Sequence, residues 1–273
     1  MMRENKKAGY INTGTWSTKA IKEAKAVGID LNVVASSEDK NFTYVPKGYD
    51  IPADLDYFHY TSNNTIYGTQ FKDVIETSVP LVCDMSSDIF SKPVDVSKFD
   101  LIYAGAQKNL GPAGATLYIV KDDVLGKSSS EFMPNYLNLK GHADKDSMMN
   151  TPPVFSVYTS MLNLRNLLAN GGVEAADARN KAKGDLLYSE IDNNPLFFGP
   201  VAQEDRSNMN VTFLLKDGAP SEEFDKLWNE AGIVGLKGHR SVGGYRASMY
   251  NALTIESVQV LVDVMKEFTR KNG

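Results

Sequence analysis

Residues 79–114 read VPLVCDMSSDIFSKPVDVSKFDLIYAGAQKNLGPAG. An apolar run ends in an acid at Asp84, and a second, Leu101 to Ala106, leads into Gln107 and Lys108 among Gly105, Asn109, Gly111 and Pro112. Short apolar runs of this kind read as buried strands of a parallel sheet, and open α/β folds bind ligands beyond the carboxyl ends of such strands. Asp84 and Lys108 are therefore expected to face one crevice.

That pairing points to a chemistry. A lysine amine forms a Schiff base with an aldehyde cofactor, and a carboxylate keeps a pyridine nitrogen protonated; pyridoxal 5'-phosphate needs both partners. Each residue also has a plainer reading, Lys108 as a solvated loop lysine and Asp84 as the cap of a turn at Met85-Ser86-Ser87.

Outward from this stretch the pattern stays α/β. AGYINTG reads as a strand and turn, followed by a helix capped by Ser17 with Ala20, Ile21, Ala24 and Val27 as its stripe, stopped at Gly28; Trp16 sits just before it. Leu31 to Ser36 and LDYFHYT are further strands, the latter ending in the polar cluster SNNTIYG that carries Thr65. His59, alone in an aromatic run, reads as a hydrogen-bonded core residue. ATLYIV is another strand, and NTPP at 150–153 opens a helix with apolar residues from Val154 to Leu168 at helical spacing.

The character changes near Gly171. A helix over 173–191, a strand over 209–215, a helix over 221–231, a strand over 245–250 and a last helix capped by Thr254 make a compact α+β unit. The expected fold is α/β: a mostly parallel sheet with flanking helices over 1–171, and a smaller C-terminal α+β domain over 172–273. In the second unit GLKGHRSVGGYRAS gathers Lys237, His239, Arg240 and Arg246, and arginine is the side chain best shaped to grip a carboxylate with a two-pronged fork.

Composition narrows the function. With 42% hydrophobic and 23% charged residues the chain is an ordinary globular protein rather than a disordered or fibrous one. A net charge of -5 gives no general attraction to nucleic acid or anionic lipid, so an anionic substrate must be held by local arginines. No apolar run approaches the ~18 residues of a membrane span, and MMRENKKAGYINTG lacks a secretory core. Cys83, the single cysteine, reads as a buried thiol in a cytoplasmic protein. The three histidines lack metal-ligand spacing, so no metal is expected.

YAGAQKNLGPAG with the upstream DMSSDIFSKPVDVSKFD closely resembles the cofactor-lysine region of the phosphoserine aminotransferases, and the likeness runs from about Gly9 to Gly273. The resemblance implies a fold-type I pyridoxal-phosphate enzyme. It implies that Lys108 carries the cofactor, Asp84 pairs with the pyridine nitrogen, Trp16 stacks on the ring, and Thr65 and Gln107 fix its position. It further implies that Asn150 and Thr151 reach the cofactor phosphate across the interface of a homodimer, that Arg246 anchors the substrate carboxylate, and that His239 and Arg240 serve the substrate phosphate. The implied reaction converts phosphoserine and 2-oxoglutarate reversibly to 3-phosphohydroxypyruvate and glutamate in serine biosynthesis, with a related step in pyridoxine biosynthesis.

Members of that family are longer, and the resemblance implies an N-terminally truncated large domain lacking the glycine-rich turn that holds the cofactor phosphate at a helix N-terminus. A non-catalytic or partner-dependent fragment is therefore the alternative expectation. A desulfurase or decarboxylase on the same scaffold fits less well, because no catalytic cysteine loop occurs.

Overall fold

The computed structural model describes residues 1, 5–127 and 134–273. Its larger sheet is built from β1 (Lys7–Asn12), β2 (Asp30–Ser36), β3 (Tyr57–Thr61), β4 (Leu81–Asp84), β5 (Leu101–Gly105) and β6 (Thr116–Val120), with α1 (Thr15–Ala26) crossing from β1 to β2. The order is β2-β1-β3-β4-β5-β6; all neighbours are parallel except β5 and β6. The mostly parallel sheet read from the sequence is present.

Alternation along the strands splits their side chains between two cores. Phe58, Tyr60, Leu81, Cys83, Ile102 and Ala104 face one core, while Tyr57, Val82 and Leu101 pack with Ala8, Tyr10, Ile21 and Ala24 on the other. Covering both faces is what makes these strands continuous apolar runs. Register then aligns the polar ends, because Thr61 pairs with Asp84 and Asp84 with Tyr103. After β1 the chain moves to β2 on one side and returns to β3 on the other, so the ends of β1 and β3 flank a topological switch point.

Three local expectations are corrected. Helix α1 starts at Thr15, so Trp16 lies inside its first turn and Ser17 is not its cap; Ser17 Oγ instead accepts the Thr13 N–H at 2.9 Å and donates to the Gly14 carbonyl at 2.9 Å. Gly14 takes the capping position with φ of 152°, a conformation only glycine adopts freely. Val27 falls past the helix end and is exposed.

The short helix α2 (Leu139–Ala143), capped by Asn138, had no periodic signal in the sequence. Residues 150–153 lead into α3 (Val154–Ala169), which is tied to the loop after Lys108: Asn163 Nδ2 donates to the carbonyls of Asn109 and Leu110 at 2.8 and 2.9 Å, and Ser156 Oγ to that of Ala113 at 2.6 Å. Much of the apolar pattern of α3 points outward, with Val154, Phe155, Tyr158, Leu162 and Leu168 exposed.

The C-terminal part consists of α4 (Gly172–Asn193), β7 (Phe197–Phe198), β8 (Asn210–Leu215), α5 (Ser221–Glu230), β9 (Tyr245–Ser248) and α6 (Ile255–Asn272) around an antiparallel sheet of order β7-β8-β9. Its core is aromatic. Phe224, fully buried, meets Phe197 at 5.1 Å, Phe268 at 5.2 Å and Tyr245 edge-on at 4.9 Å. Phe224→Ala should therefore cost about 3–5 kcal/mol of stability. Urea titration checks this, and a loss below about 1 kcal/mol would mean that the cluster does not organise this core.

Candidate active site

Four strand ends converge on one crevice. Trp16 follows β1, Thr65 follows β3, Asp84 ends β4 and Lys108 follows β5. Lys108 Nζ donates to Thr65 Oγ1 at 3.1 Å and lies 5.9 Å from the centre of the exposed Trp16 ring, over which Lys19 Nζ also sits at 4.5 Å. From β9, an Arg246 guanidinium nitrogen donates to the Thr65 carbonyl at 3.4 Å. Thr65 is thus the point at which Lys108 and Arg246 meet.

The loop carrying Thr65 is buried and fully tied down. Asn64 Nδ2 donates to Thr13 Oγ1 at 3.1 Å and to Thr69 Oγ1 at 3.0 Å, and Asn63 Nδ2 donates to Ser87 Oγ at 2.8 Å and Asn210 Oδ1 at 2.9 Å. Such a satisfied polar network fixes a backbone that lacks regular structure. It also joins the ends of β1, β4 and β8.

Electrostatics poise the lysine. Burial lowers the Lys108 pKa below its ordinary value and Arg246 pushes the same way, while Asp84 and Asp88 oppose them. A larger fraction of the amine is consequently neutral and nucleophilic at a given pH. Asp84 is held by its turn, its Oδ1 accepting the Ser86 N–H at 2.9 Å. Behind it, Tyr103 bonds both Asp84 and His59 Nε2, the latter at 3.0 Å. Burial takes His59 down to about 4 against the pull of Asp84, so the imidazole stays neutral, stacked at 4.8 Å on Tyr10. Asp88 faces elsewhere, bonded to Ser62 and to Gln70 Nε2, and burial raises its pKa.

Gln107 is exposed and folds back over Gly105, where a Cβ would lie 2.5 Å from its Oε1. Asn150 and Thr151 are exposed, and no hydrogen bond joins either to this crevice among the described residues. His239 and Arg240 lie in the turn before β9, with His239 Nδ1 bonded to Ser241 Oγ at 2.7 Å. Lys237 is drawn away into an ion pair with Asp225 at 2.7 Å.

Sequence reading missed Tyr250. Its hydroxyl is bonded to Thr65 and Ser248 and receives Asn210 Nδ2 at 3.2 Å, close to the Arg246 charge. The signal was strand alternation, since Arg246, Ser248 and Tyr250 are spaced by two.

A lysine of lowered pKa, a carboxylate at the neighbouring strand end, an exposed indole and an arginine whose buried Nε has no partner among the described residues together suit an aldehyde cofactor on a pyridine ring and a carboxylate substrate. The comparisons agree: the aminotransferase class-V family model matches residues 2–261, and the chain belongs to that class. A phosphoserine aminotransferase of Flavobacterium johnsoniae is 60% identical over 99% of this chain and 76% of that protein. The solved phosphoserine aminotransferase of Bacillus circulans subsp. alkalophilus superposes with a TM-score of 0.95 at 44% identity, over 99% of this chain and 76% of the other. The enzyme of Trichomonas vaginalis, solved with pyridoxal phosphate bound, superposes with a TM-score of 0.91 at 36% identity, over 97% and 76%. Within its class the chain is a member of the phosphoserine aminotransferases, which are transaminases. Among the described residues no helix is long and apolar enough to cross a membrane.

Proposed function

We propose that this chain transfers the amino group of glutamate to 3-phosphohydroxypyruvate, giving phosphoserine and 2-oxoglutarate, as a cytoplasmic step of serine biosynthesis with pyridoxal phosphate held at Lys108. The observation that carries this reading is the meeting of Lys108 and Arg246 on Thr65. The cofactor, when bound, supplies an electron sink for the bond broken at the substrate α-carbon. Asp84 would hold the pyridine nitrogen protonated, Trp16 would stack on the ring, and Thr65 and Gln107 would orient it. Lys108 would also move the proton at the substrate α-carbon. Arg246 grips the α-carboxylate, and His239 and Arg240 take the substrate phosphate. The two parts, 1–171 and 172–273, act as the cofactor domain and the smaller domain.

Asn150 and Thr151, exposed and apart from their own crevice, serve that of a second subunit, and the outward apolar residues of α3 beside them favour such a homodimer. The same exposed face favours a second reading, that this chain acts only with a partner covering α3. Sedimentation with parallel activity measurements separates the two, because a monomer without activity that gains it from no second copy leaves only the partner reading.

The test of function is spectroscopic. Purified protein mixed with pyridoxal phosphate should gain visible absorbance, lose it on adding glutamate and recover it with 3-phosphohydroxypyruvate. A well-folded sample that stays colourless would end the reading.

Arg246 is expected to act on binding. Charge-assisted bonds to a carboxylate are worth about 1.5–3 kcal/mol, so Arg246→Ala should lower kcat/KM for glutamate roughly 10- to 100-fold. An unchanged glutamate half-reaction would remove Arg246 from the carboxylate site.

A further inference from the structure

Lys183 lies in α4, is 1% exposed, and has backbone carbonyls in place of a carboxylate partner. Its ammonium donates to the carbonyls of Met249 at 3.0 Å, Tyr250 at 2.9 Å and Leu253 at 3.0 Å. An ammonium has three donors, so these carbonyls saturate it. Burial, with Arg179 nearby, brings its pKa down to about 8, so the position is not one that a lysine occupies without cause.

The three carbonyls belong to the turn between β9 and α6, and that turn reaches the crevice twice. On one side Tyr250 bonds Thr65, and Arg246 at the start of the same stretch donates to the Thr65 carbonyl. On the other side the Asn251 N–H donates to Asn109 Oδ1 at 3.0 Å, and Asn109 is the residue after Lys108. Asn251 Nδ2 also donates to the Phe90 carbonyl at 2.8 Å, beside the Asp84–Asp88 turn. Asn180, three residues before Lys183 in α4, closes the set by donating to Asn251 Oδ1 at 2.9 Å and to the Ser91 carbonyl at 3.0 Å. A lysine that merely capped a turn would not need the turn to be bonded to both loops that carry Asp84 and Lys108.

We propose that Lys183 is a positioning residue of the active site: through the Met249–Leu253 turn it sets Arg246 and Tyr250 against Thr65, and Asn251 against the Asn109 that follows Lys108. The proposal rests on Lys108 and Arg246 being the cofactor and carboxylate residues. Lys183 touches neither substrate nor cofactor. Its effect is on the separation between the reactive amine and the carboxylate grip, and so on how well an amino acid spans the two.

The test uses Lys183→Met, which keeps the stem and removes the donors, with two readouts. In the protein without cofactor, amide hydrogen exchange should quicken at least about tenfold both at 249–253 and at 109–111, while β8 and α5 keep wild-type protection. In the loaded enzyme the KM for glutamate should rise roughly tenfold with kcat changed less than about threefold. Quickening confined to 249–253 with an unchanged KM would reduce Lys183 to a local cap and overturn the proposal, as would loss of protection throughout β8 and α5. If Lys183→Met does not fold, Lys183→Gln, which keeps two of the three donors, decides the matter: exchange should quicken at 109–111 as well as at 249–253, and wild-type rates at 109–111 overturn the proposal. A wild type that binds no cofactor defeats the functional reading alone, because the exchange measurements still decide whether Lys183 acts on the Lys108 loop.

Discussion

Lys108→Ala should leave a folded protein that gains no lysine-bound cofactor absorbance and transfers no measurable amino group. Loss of proton transfer alone costs roughly 10²–10⁴-fold, and under the proposed function the nucleophile that would hold the cofactor is lost with it. Lys108→Arg should be equally inactive, since a guanidinium is not deprotonated in a protein and cannot attack an aldehyde. Borohydride reduction followed by mass analysis checks the attachment point, and a cofactor adduct on any other lysine would move the centre away from Lys108.

The same substitution has a pH signature that separates a poised lysine from a structural one. The folded-state pKa of Lys108 is lowered, chiefly by burial, beneath the 10.5 of an ordinary lysine. A group depressed in this sense costs stability while the amine is charged, and the cost fades as pH rises from the folded pKa towards the unfolded one. Wild type should therefore gain stability relative to Lys108→Ala between neutral pH and pH ~10.5. Thermal melts across that range read it, and a large drop in melting temperature for the variant at pH 7 would show instead that Lys108 holds the fold.

Much of this site was legible in the sequence because strand ends are legible. The apolar runs before Asp84 and Lys108 and the run YFHYT before Thr65 are strands buried on both faces, and in a parallel sheet such strands deliver their next polar residues to one edge. What the pattern could not give was depth behind that edge. His59, read as a core residue, is buried, yet its bond to Tyr103 places it directly behind Asp84, a relation set by the β3–β4–β5 register rather than by spacing along the chain. Ser17 has the residue type that favours a helix cap, whereas Gly14 suits the φ at which α1 begins. The apolar pattern of α3 correctly marked a helix, but periodicity does not say which faces are covered, and much of this one is open.

Asp84→Asn should cost roughly 10²–10³-fold in turnover, the range for removing one preorganised electrostatic contact from developing charge. The replacement is close to isosteric, and its amide oxygen can still accept the Ser86 N–H that Asp84 Oδ1 accepts at 2.9 Å, so the turn should persist and the loss should report charge. The surroundings sharpen that expectation. With His59 held down at about 4, the imidazole behind Asp84 is neutral at pH 7 and leaves the carboxylate charge free to act on groups in the crevice, with the Tyr103 hydroxyl between the two. Asp88 supplies the internal control. It lies four residues on in the same turn region, is buried, and spends its oxygens on Ser62 and Gln70, so Asp88→Asn should lower stability more than turnover. Stopped-flow measurement of the glutamate half-reaction, beside urea titration of both variants, distinguishes the two acids. If Asp84→Asn turned over within about threefold of wild type, or if Asp88→Asn lost the greater share of turnover, the charge at the end of β4 would not be the one that serves the reaction.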